Sequence, residues 1–211
     1  MAIRYIELRN NRMSNDFVKQ QYNKLAENYS ARRDAYKNDK YLDKLNSLLI
    51  TNATILDIGC GAGVPIDKYF IDRGHKIIGL DISEKQIELA TKNLPDGEFK
   101  VQDMSEFVEN EYSVDAVISF YAIFHTPRET HGEILKKIKS FLKTNGLLLV
   151  TMGSSEWEGK EDNFFGGEMS WSHYGKEKNR QLVEAAGFAI LLDEIDDSGG
   201  EKHQVLLARK I

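Results

Sequence analysis

Two aspartates and three glycines are spaced so that together they could hold a nucleoside-bearing ligand. Asp57 lies in the apolar segment "ILDIGCGAG", which also contains Gly59, Gly61 and Gly63. Asp81 follows 24 residues after Asp57 and ends a second apolar segment, "HKIIGLD". Glycines let the backbone approach a ligand closely, and a carboxylate at the end of the second strand can accept hydrogen bonds from ribose hydroxyls. The pattern therefore predicts an adenosine-bearing ligand.

Each of these residues also has a purely structural interpretation. Asp57 could cap the turn, but a carboxylate inside an apolar strand is costly unless it is used. Asp81 could begin a helix cap, although Ser83 already fits that position. For Asp103, at the end of a third strand pattern, the two interpretations are about equal. Cys60 is interpreted as a small packing residue, because nothing nearby in the sequence would activate its thiol.

The surrounding segments alternate between strand and helix patterns. A helix opened by Pro65 and ended by Gly74 follows the first strand, and Ser83 with Gln86 has the spacing of a capping box before the next helix. A short helix is predicted near 105–109 and a longer one from about 129 to 143. The strands that alternate with these helices are "TILDI", "KIIGL", "EFKVQ", "VDAVISF" and "GLLLVTM". Such alternation predicts a parallel sheet with helices on both faces.

The two ends of the chain differ from this regular middle. Helices are predicted over 14–30, capped by Ser14, and over 39–50. Residues 153–174 show little periodicity, which predicts a long loop acting as a functional lid or a disordered segment. A helix over 175–186 and two strands, "FAILLDEI" and "HQVLLARK", complete the chain as an antiparallel hairpin.

This order of motifs resembles the class I S-adenosylmethionine-dependent methyltransferases of the small-molecule type, most strongly over residues 50–152. A nicotinamide or flavin fingerprint would need glycine or alanine at position 64, where Val64 stands, so an oxidoreductase is disfavoured. The spacing D-x-G-x-G-x-G from Asp57 has the methyltransferase form.

The resemblance implies an α/β fold: a Rossmann-like, seven-stranded, mostly parallel sheet with helices on both faces and a C-terminal antiparallel hairpin. It implies one methyltransferase domain over 1–211. Its parts are an N-terminal helical cap (1–50), a cofactor-binding core (51–152), a lid or substrate loop (153–174), and a last helix with the hairpin (175–211).

The resemblance also implies S-adenosylmethionine as the cofactor and assigns it a set of binding residues. Asp57 would interact with the methionine amino group, Asp81 with both ribose hydroxyls, and Asp103 with the adenine amino group. The full implied set is Asp57, Gly59, Gly61, Gly63, Asp81, Ile82, Asp103, Met104, Ser119 and Phe120.

Candidates for the methyl-accepting side lie after the fourth strand and in the predicted lid. His125 in "SFYAIFHTP" could be a general base that titrates near neutral pH, or equally a packing histidine. The substrate candidates are Tyr29, Trp171, His173 and Tyr174, with Glu168 as a weaker one. Tyr22 is interpreted as a core residue, and His75, His131 and His203 as structural. No spacing indicates a metal site.

Composition restricts the class of partner. The net charge of −5 in 211 residues argues against a nucleic-acid substrate and favours a small molecule. No apolar run reaches the ~20 residues that would span a membrane, and no signal peptide is visible. With one cysteine, these features predict a cytoplasmic protein; they do not predict an oligomeric state. The functional hypotheses are methyl transfer to a small-molecule O, N or C nucleophile and, alternatively, a non-catalytic S-adenosylmethionine-binding or regulatory protein.

Overall fold

The computed structural model describes residues 15–30 and 38–211. The predicted cap at Ser14 lies outside these residues. Six α-helices are present among the described residues, and the first begins at Asn15. Their bounds are α1 Asn15–Ser30, α2 Asp39–Asn46, α3 Ile66–Ile71, α4 Glu84–Asn93, α5 His131–Phe141 and α6 Lys176–Ala185. Short 3₁₀ turns cover Met104–Glu106, Ile123–His125 and Arg128–Thr130.

Seven strands form the main sheet in the order β3-β2-β1-β4-β5-β9-β8. Strands β1 to β5 pair in parallel, whereas β9 runs antiparallel to both β5 and β8. Their bounds are β1 Thr54–Ile58, β2 Lys76–Asp81, β3 Glu98–Val101, β4 Val114–Ser119, β5 Leu142–Gly153, β8 Phe188–Asp196 and β9 His203–Lys210. The predicted mostly parallel sheet and its C-terminal antiparallel hairpin are confirmed.

Helices cover both faces of this sheet, as the strict alternation predicts. Leu56 and Ile58 of β1 point into a core shared with α5 and α6. Ile55, their neighbour in the same strand, points to the opposite core, where it meets α2 and α3. Because successive strand residues face opposite sides, a strand buried on both faces reads as a continuous apolar run. The buried Asp57 interrupts this run.

The predicted loop over 153–174 is instead mostly a β-hairpin. Strands β6 (Trp157–Phe164) and β7 (Gly167–His173) pair antiparallel as a separate two-stranded sheet. The turn between them places Phe165 at φ +50° and Gly166 at φ +90°. Positive φ at both central positions matches the turns that favour hairpins, but phenylalanine is an unusual residue there. Strand β7 is largely buried, with Met169, Ser170 and Ser172 fully covered, so the segment is a packed element.

Several predicted boundaries shift. Helix α2 ends at Asn46 rather than at residue 50, and Leu48 beyond its end is exposed. Pro65 lies just before α3, which ends at Ile71 rather than Gly74. The Ser83 hydroxyl caps α4 by accepting from the Gln86 backbone N–H at 3.1 Å. The Gln86 side chain does not return this bond, so the capping box is half formed.

Candidate functional site

The glycine turn after β1 forms one wall of the site. The backbone N–H groups of Gly59 and Cys60 both donate to the Leu80 carbonyl, at 2.7 and 3.0 Å, which ties the turn to β2. Gly59 has φ +80°, and a Cβ there would lie 2.3 Å from the Cβ of Ala122. Gly61 has φ +56°, and a Cβ there would meet only the Gln86 Oε1, at 3.8 Å. Gly59 is therefore required for packing, while Gly61 leaves backbone accessible beside a cavity.

Asp81 lies at the carboxyl end of β2 and helps to fix that turn. Its Oδ2 accepts from the Gly61 N–H at 2.9 Å, and its Oδ1 accepts from the Ser83 N–H at 2.8 Å. Burial raises the pKa of this carboxyl to about 6, against the opposing effect of the backbone N–H donors. Each carboxylate oxygen has a second lone pair, so the group can hold the turn and still accept hydrogen bonds from a ligand.

Asp57 is paired with a second carboxyl that the sequence analysis did not identify. Asp67 of α3 and Asp57 of β1 are both buried. Burial, followed by the nearby charge of Asp57, raises the pKa of the Asp67 carboxyl well above its usual range. Two neighbouring buried carboxyls resist double ionisation, so this pair carries less than two negative charges beneath the glycine turn.

A cavity of about 630 Å³, here called the cofactor cleft, lies between the turn, β2, β3, β4 and α1. Asp103 lies at its edge, with Oδ1 accepting from the Ser105 N–H and Oδ2 accepting from Asn15 Nδ2, both within 2.8 Å. The predicted residues that line the cleft are Gly59, Gly61, Asp81, Ile82, Asp103, Met104 and Phe120, together with Tyr29 and His125.

Three predicted cofactor residues lie elsewhere. Asp57 lines a smaller neighbouring cavity of about 380 Å³, which shares Gly59, Gly61 and Phe120 with the cleft. Gly63 lines neither cavity, and a Cβ there would lie 2.8 Å from Leu94 Cδ1 of the α4 C-terminus, so its structural role is close packing. Ser119 is buried and donates its hydroxyl proton to the Ile58 carbonyl at 2.8 Å.

Residues of the cleft fit an adenosine-bearing cofactor. Gln86, at the start of α4, is fully buried beside Gly61 and lines the cleft. Neither atom of its amide has a hydrogen-bond partner within the described part of the chain. A buried amide without partners is costly, and a polar ligand in the cleft would supply them. The carboxylate of Asp81 adds an acceptor on the same side.

His125 is buried and neutral, which corrects the expectation that it titrates near neutral pH. Burial lowers the pKa of its imidazole to about 4. Its Nδ1 lies 2.9 Å from the Ser170 carbonyl, which can only accept, so the proton is on Nδ1. Nε2 must then accept, and it lies 2.9 Å from the hydroxyl of Tyr22. Tyr22, predicted as a core residue, lines the cleft.

A third cavity, of about 270 Å³, adjoins the cleft on the side of the hairpin. Tyr29 and Trp171 of the predicted substrate set line it. His203 also does so, although the sequence pattern predicts a structural role for it. Missed residues of this wall are Tyr22, Tyr121, Phe124, Phe164 and Glu201. Those aromatic residues lie in segments whose pattern is equally typical of the apolar core. Their residue types alone therefore do not distinguish a cavity wall from core packing.

Three predicted substrate residues, His173, Tyr174 and Glu168, lie outside the three cavities, whereas Cys60 lines the second one. His173 Nδ1 lies 2.6 Å from the Ser155 carbonyl, and the Tyr174 ring lies 5.3 Å from the Arg128 guanidinium. Glu168 is exposed on the hairpin. The Cys60 thiol contacts the Gly61 carbonyl at 3.5 Å, and burial raises its pKa well above its usual value. A protonated thiol agrees with the interpretation of Cys60 as a packing residue.

Comparison with known proteins places this site within a family. A family described as methyltransferase domains matches residues 55–146, which include the glycine turn and the ends of β1, β2 and β4. An uncharacterized methyltransferase of Oceanobacillus iheyensis is 24% identical over 159 residues, covering 74% of this chain and 67% of that protein. The chain spans only about half the length of two other curated relatives, 49% and 55%.

Solved structures share the fold at low sequence identity. The cyclase SpnF superposes with a TM-score of 0.76 at 17% identity, covering 94% of this chain and 97% of that one. A Burkholderia thailandensis 1,6-didemethyltoxoflavin-N1-methyltransferase, solved with its substrate and S-adenosylhomocysteine, has a TM-score of 0.63 at 22% identity. That match covers 85% of this chain and 78% of the other. Residues 55–146 thus match the sequence of a methyltransferase domain, and the chain shares the fold of solved S-adenosylmethionine-dependent methyltransferases.

Two kinds of feature are absent from the described residues. No three histidine, cysteine, aspartate or glutamate side chains within 15–30 and 38–211 come together in a geometry that could hold a metal ion. Over the same ranges, no helix has the length and apolar character needed to cross a bilayer.

Proposed function

We propose that this protein transfers a methyl group from S-adenosylmethionine to an oxygen, nitrogen or carbon nucleophile of a small molecule. The observation that carries the proposal is the cofactor cleft, where Gly61 presents accessible backbone beside the carboxylate of Asp81. Asp81 would accept the ribose hydroxyls, Asp103 would face the adenine amino group, and Gln86 would gain partners for its buried amide. When bound, the cofactor supplies an electrophilic methyl carbon on a sulfonium.

The carboxyl pair of Asp57 and Asp67 suits the cationic end of that cofactor. Asp57 lines the smaller cavity together with Tyr29 and the backbone of the glycine turn. A cofactor lying across the turn would place its methionine portion there, so a partly negative pair beneath the turn would stabilise the amino group. In this assignment Asp57 contacts the cofactor region and Asp67 holds the proton.

On the acceptor side, the chain's own contribution is alignment, exclusion of water and a path for a proton. The hydrogen-bonded pair of Tyr22 and the buried His125 lies where the cleft meets the third cavity. Nε2 of His125 can take the hydroxyl proton of Tyr22 while the Tyr22 oxygen takes a proton from the acceptor. Such a relay is needed only when the attacking atom carries a proton that must leave.

A small acceptor is favoured over a nucleic acid. The third cavity has a volume of about 270 Å³, and no lysine or arginine occurs among the described residues that line it. Phosphate binding depends on such cations. The bound small-molecule substrate of the Burkholderia relative supports the same assignment for this chain.

Calorimetric titration with S-adenosylhomocysteine, with NAD as the control, tests the cofactor. We expect micromolar binding of the first and no heat from the second, and binding of NAD alone would contradict the proposal. Transfer of labelled methyl to a low-mass component of a cell extract tests turnover. Cofactor binding with no labelled product from varied extracts would favour the alternative, a non-catalytic S-adenosylmethionine-binding protein.

A further inference from the structure

The third cavity is lined by aromatic side chains from three separate parts of the fold, and we call it the aromatic chamber. Its six aromatic residues other than histidine are Tyr22, Tyr29, Tyr121, Phe124, Phe164 and Trp171. Helix α1, the segment after β4 and the β6–β7 hairpin provide these rings, and the β8–β9 turn closes one side with Glu201. Neighbouring rings pack at centroid distances from 5.1 Å, for Phe164 and Trp171, to 6.5 Å, for Tyr22 and Phe164.

The hydroxyl protons of two tyrosines in this wall, Tyr22 and Tyr121, are directed toward protein acceptors. Because Nδ1 of His125 donates to the Ser170 carbonyl, the hydroxyl of Tyr22 must donate to Nε2 of the same ring. The hydroxyl of Tyr121 donates to Asn38 Oδ1 at 2.9 Å. With these protons committed, the phenol oxygens and the ring faces act toward the chamber as electron-rich groups.

The acidic residue of the chamber, Glu201, adds a further electron-rich group to this wall. Glu201 is the acidic residue among the described lining residues, and the lowered pKa of His125 keeps that ring neutral. Nε2 of His203 lies 3.6 Å from a carboxylate oxygen of Glu201. Desolvation, with a smaller effect of Glu161, raises the pKa of Glu201. The Glu201 side chain is largely exposed, so its carboxylate lies at the rim of the chamber, and no lysine or arginine occurs among the described lining residues.

We propose that the aromatic chamber binds an organic cation, so that the methyl acceptor is an amine-bearing small molecule. Its ammonium group would lie against the ring faces and near the carboxylate of Glu201. A cation is attracted to the face of an aromatic ring, and here the rings, phenol oxygens and carboxylate all favour a positive or hydrogen-donating ligand. An anionic acceptor would meet the opposite charge pattern.

The proposal rests on the proposed function, because Tyr22, Tyr29, Tyr121 and His125 line both the chamber and the cofactor cleft. A ligand in the chamber therefore lies next to the place expected for the reactive methyl group. The chemistry of recognition is nevertheless separate from cofactor binding, and the two can be measured independently.

Three probes of matched shape test the charge preference: choline, its uncharged isostere 3,3-dimethylbutan-1-ol, and the anion 3,3-dimethylbutanoate. Each is titrated by calorimetry into protein saturated with S-adenosylhomocysteine. We expect choline to bind at least tenfold more tightly than the neutral alcohol, and the anion to give no binding. Equal or tighter binding of the alcohol or the anion would overturn the proposal, as would the absence of binding by all three.

Variants of two chamber residues test whether the preference for choline arises in the chamber. Glu201→Gln should reduce the choline-to-alcohol affinity ratio at least threefold, and Phe164→Leu should weaken choline binding while leaving cofactor affinity within twofold. Glu109→Gln, which removes an exposed carboxylate outside the chamber, is the matched control and should change neither. A preference for choline that survives in both chamber variants would place the cation elsewhere and refute the assignment.

Saturating the protein with S-adenosylhomocysteine before the probe titrations separates the proposed function from the chamber assignment. If S-adenosylhomocysteine binds and choline shows no preference over the alcohol, the chamber assignment fails and the proposed function stands. If S-adenosylhomocysteine does not bind, the proposed function fails, and the same three titrations on the protein alone decide whether the chamber selects a cation.

Discussion

At the scale of single residues, the acceptor strength of Asp81 depends on its protonation state. Its pKa is raised to about 6 by burial, so the group is mostly ionised at pH 7.5 and mostly protonated at pH 5. Ribose hydroxyls donate more strongly to the charged form. We therefore expect affinity for S-adenosylhomocysteine to fall roughly three- to tenfold between pH 7.5 and pH 5.

This pH dependence is checked by calorimetry across that range, with Asp81→Asn as the comparison. The variant cannot change charge, so its affinity should be weaker at pH 7.5 and nearly constant with pH. A variant that retained the wild-type pH profile would assign the effect to another group.

Asp81→Ala should weaken binding of S-adenosylhomocysteine by roughly 1–3 kcal/mol, because the hydrogen-bond donors around this carboxylate lose their acceptor.

The Tyr22 and His125 pair predicts a separation of turnover from cofactor binding. His125→Ala removes the acceptor at Nε2, and loss of a general base typically costs about 10²–10⁴-fold in rate. His125→Gln keeps a carbonyl oxygen on the side chain and should retain more activity than alanine does. Both variants should bind S-adenosylhomocysteine within a fewfold of wild type by calorimetry, while labelled-methyl transfer reports the rate. Unchanged transfer in both would leave His125 as a packing residue.

The sequence predicted those site residues whose type is unusual for their position in a strand or turn. It missed the site residues whose type is ordinary for a helix or strand. Asp57 stands out as a carboxylate inside an apolar strand, and Gly61 as part of a glycine-rich turn. Tyr22 and Phe164 are ordinary apolar positions in a helix and a strand, so only tertiary contacts reveal that they line a cavity. The pKa of His125 likewise depends on burial, which the sequence does not contain.

At the scale of elements, the contact between β1 and α3 is electrostatically unfavourable when both of its buried carboxyls are ionised. The pKa of Asp67 is raised well above its usual range by burial and by Asp57. A raised carboxyl pKa means that the folded state loses stability as pH rises, because ionisation is easier in the unfolded chain. We expect Asp67→Asn to increase the free energy of unfolding, by a larger amount at pH 8 than at pH 5.

Thermal unfolding of the ligand-free protein at both pH values measures this difference. Asparagine is close in shape to aspartic acid, so the variant removes the ionisable group while keeping the volume of the side chain. Asp72→Asn, an exposed change in the residue that follows α3, serves as the control and should show little pH-dependent gain. A stabilisation by Asp67→Asn that is equal at the two pH values would contradict the raised pKa of Asp67.

The β6–β7 hairpin shows which kind of element the sequence pattern did not predict. Strand β6 is exposed along nearly its whole length, and β7 buries small polar residues such as Ser170 and Ser172. Neither strand therefore has the apolar alternation that identifies a half-buried strand. Its turn at Phe165 also lacks the Asn-Gly or Asp-Gly signal. By contrast, β8 and β9 are rich in leucine, isoleucine and valine, and their hairpin was predicted within one residue.

At the scale of the whole molecule, the parallel sheet brings together side chains that are far apart in the sequence. The carboxyl ends of β1, β2, β3 and β4 meet at one edge, which is why Asp81, Asp103 and Phe120 line one cleft. Regular alternation of strands and helices was sufficient to predict this arrangement. The placement of α1 over the cleft was not, because nothing in an amphipathic helix specifies which end of a sheet it covers.

A ligand that contacts so many separate elements should stabilise the entire domain. At a free concentration 100 times its dissociation constant, S-adenosylhomocysteine would add about 2.7 kcal/mol. For a chain of this length, roughly 2–4 °C in melting temperature corresponds to each kcal/mol. We therefore expect a rise of about 5–11 °C by calorimetry or fluorescence melting, with no rise from NAD. Asp81→Ala at the same ligand concentration should lose roughly a third or more of it, because weaker binding lowers the ratio of ligand to dissociation constant. A full shift in that variant would mean that the ligand binds away from the strand ends, and the site would have to be sought elsewhere in the fold.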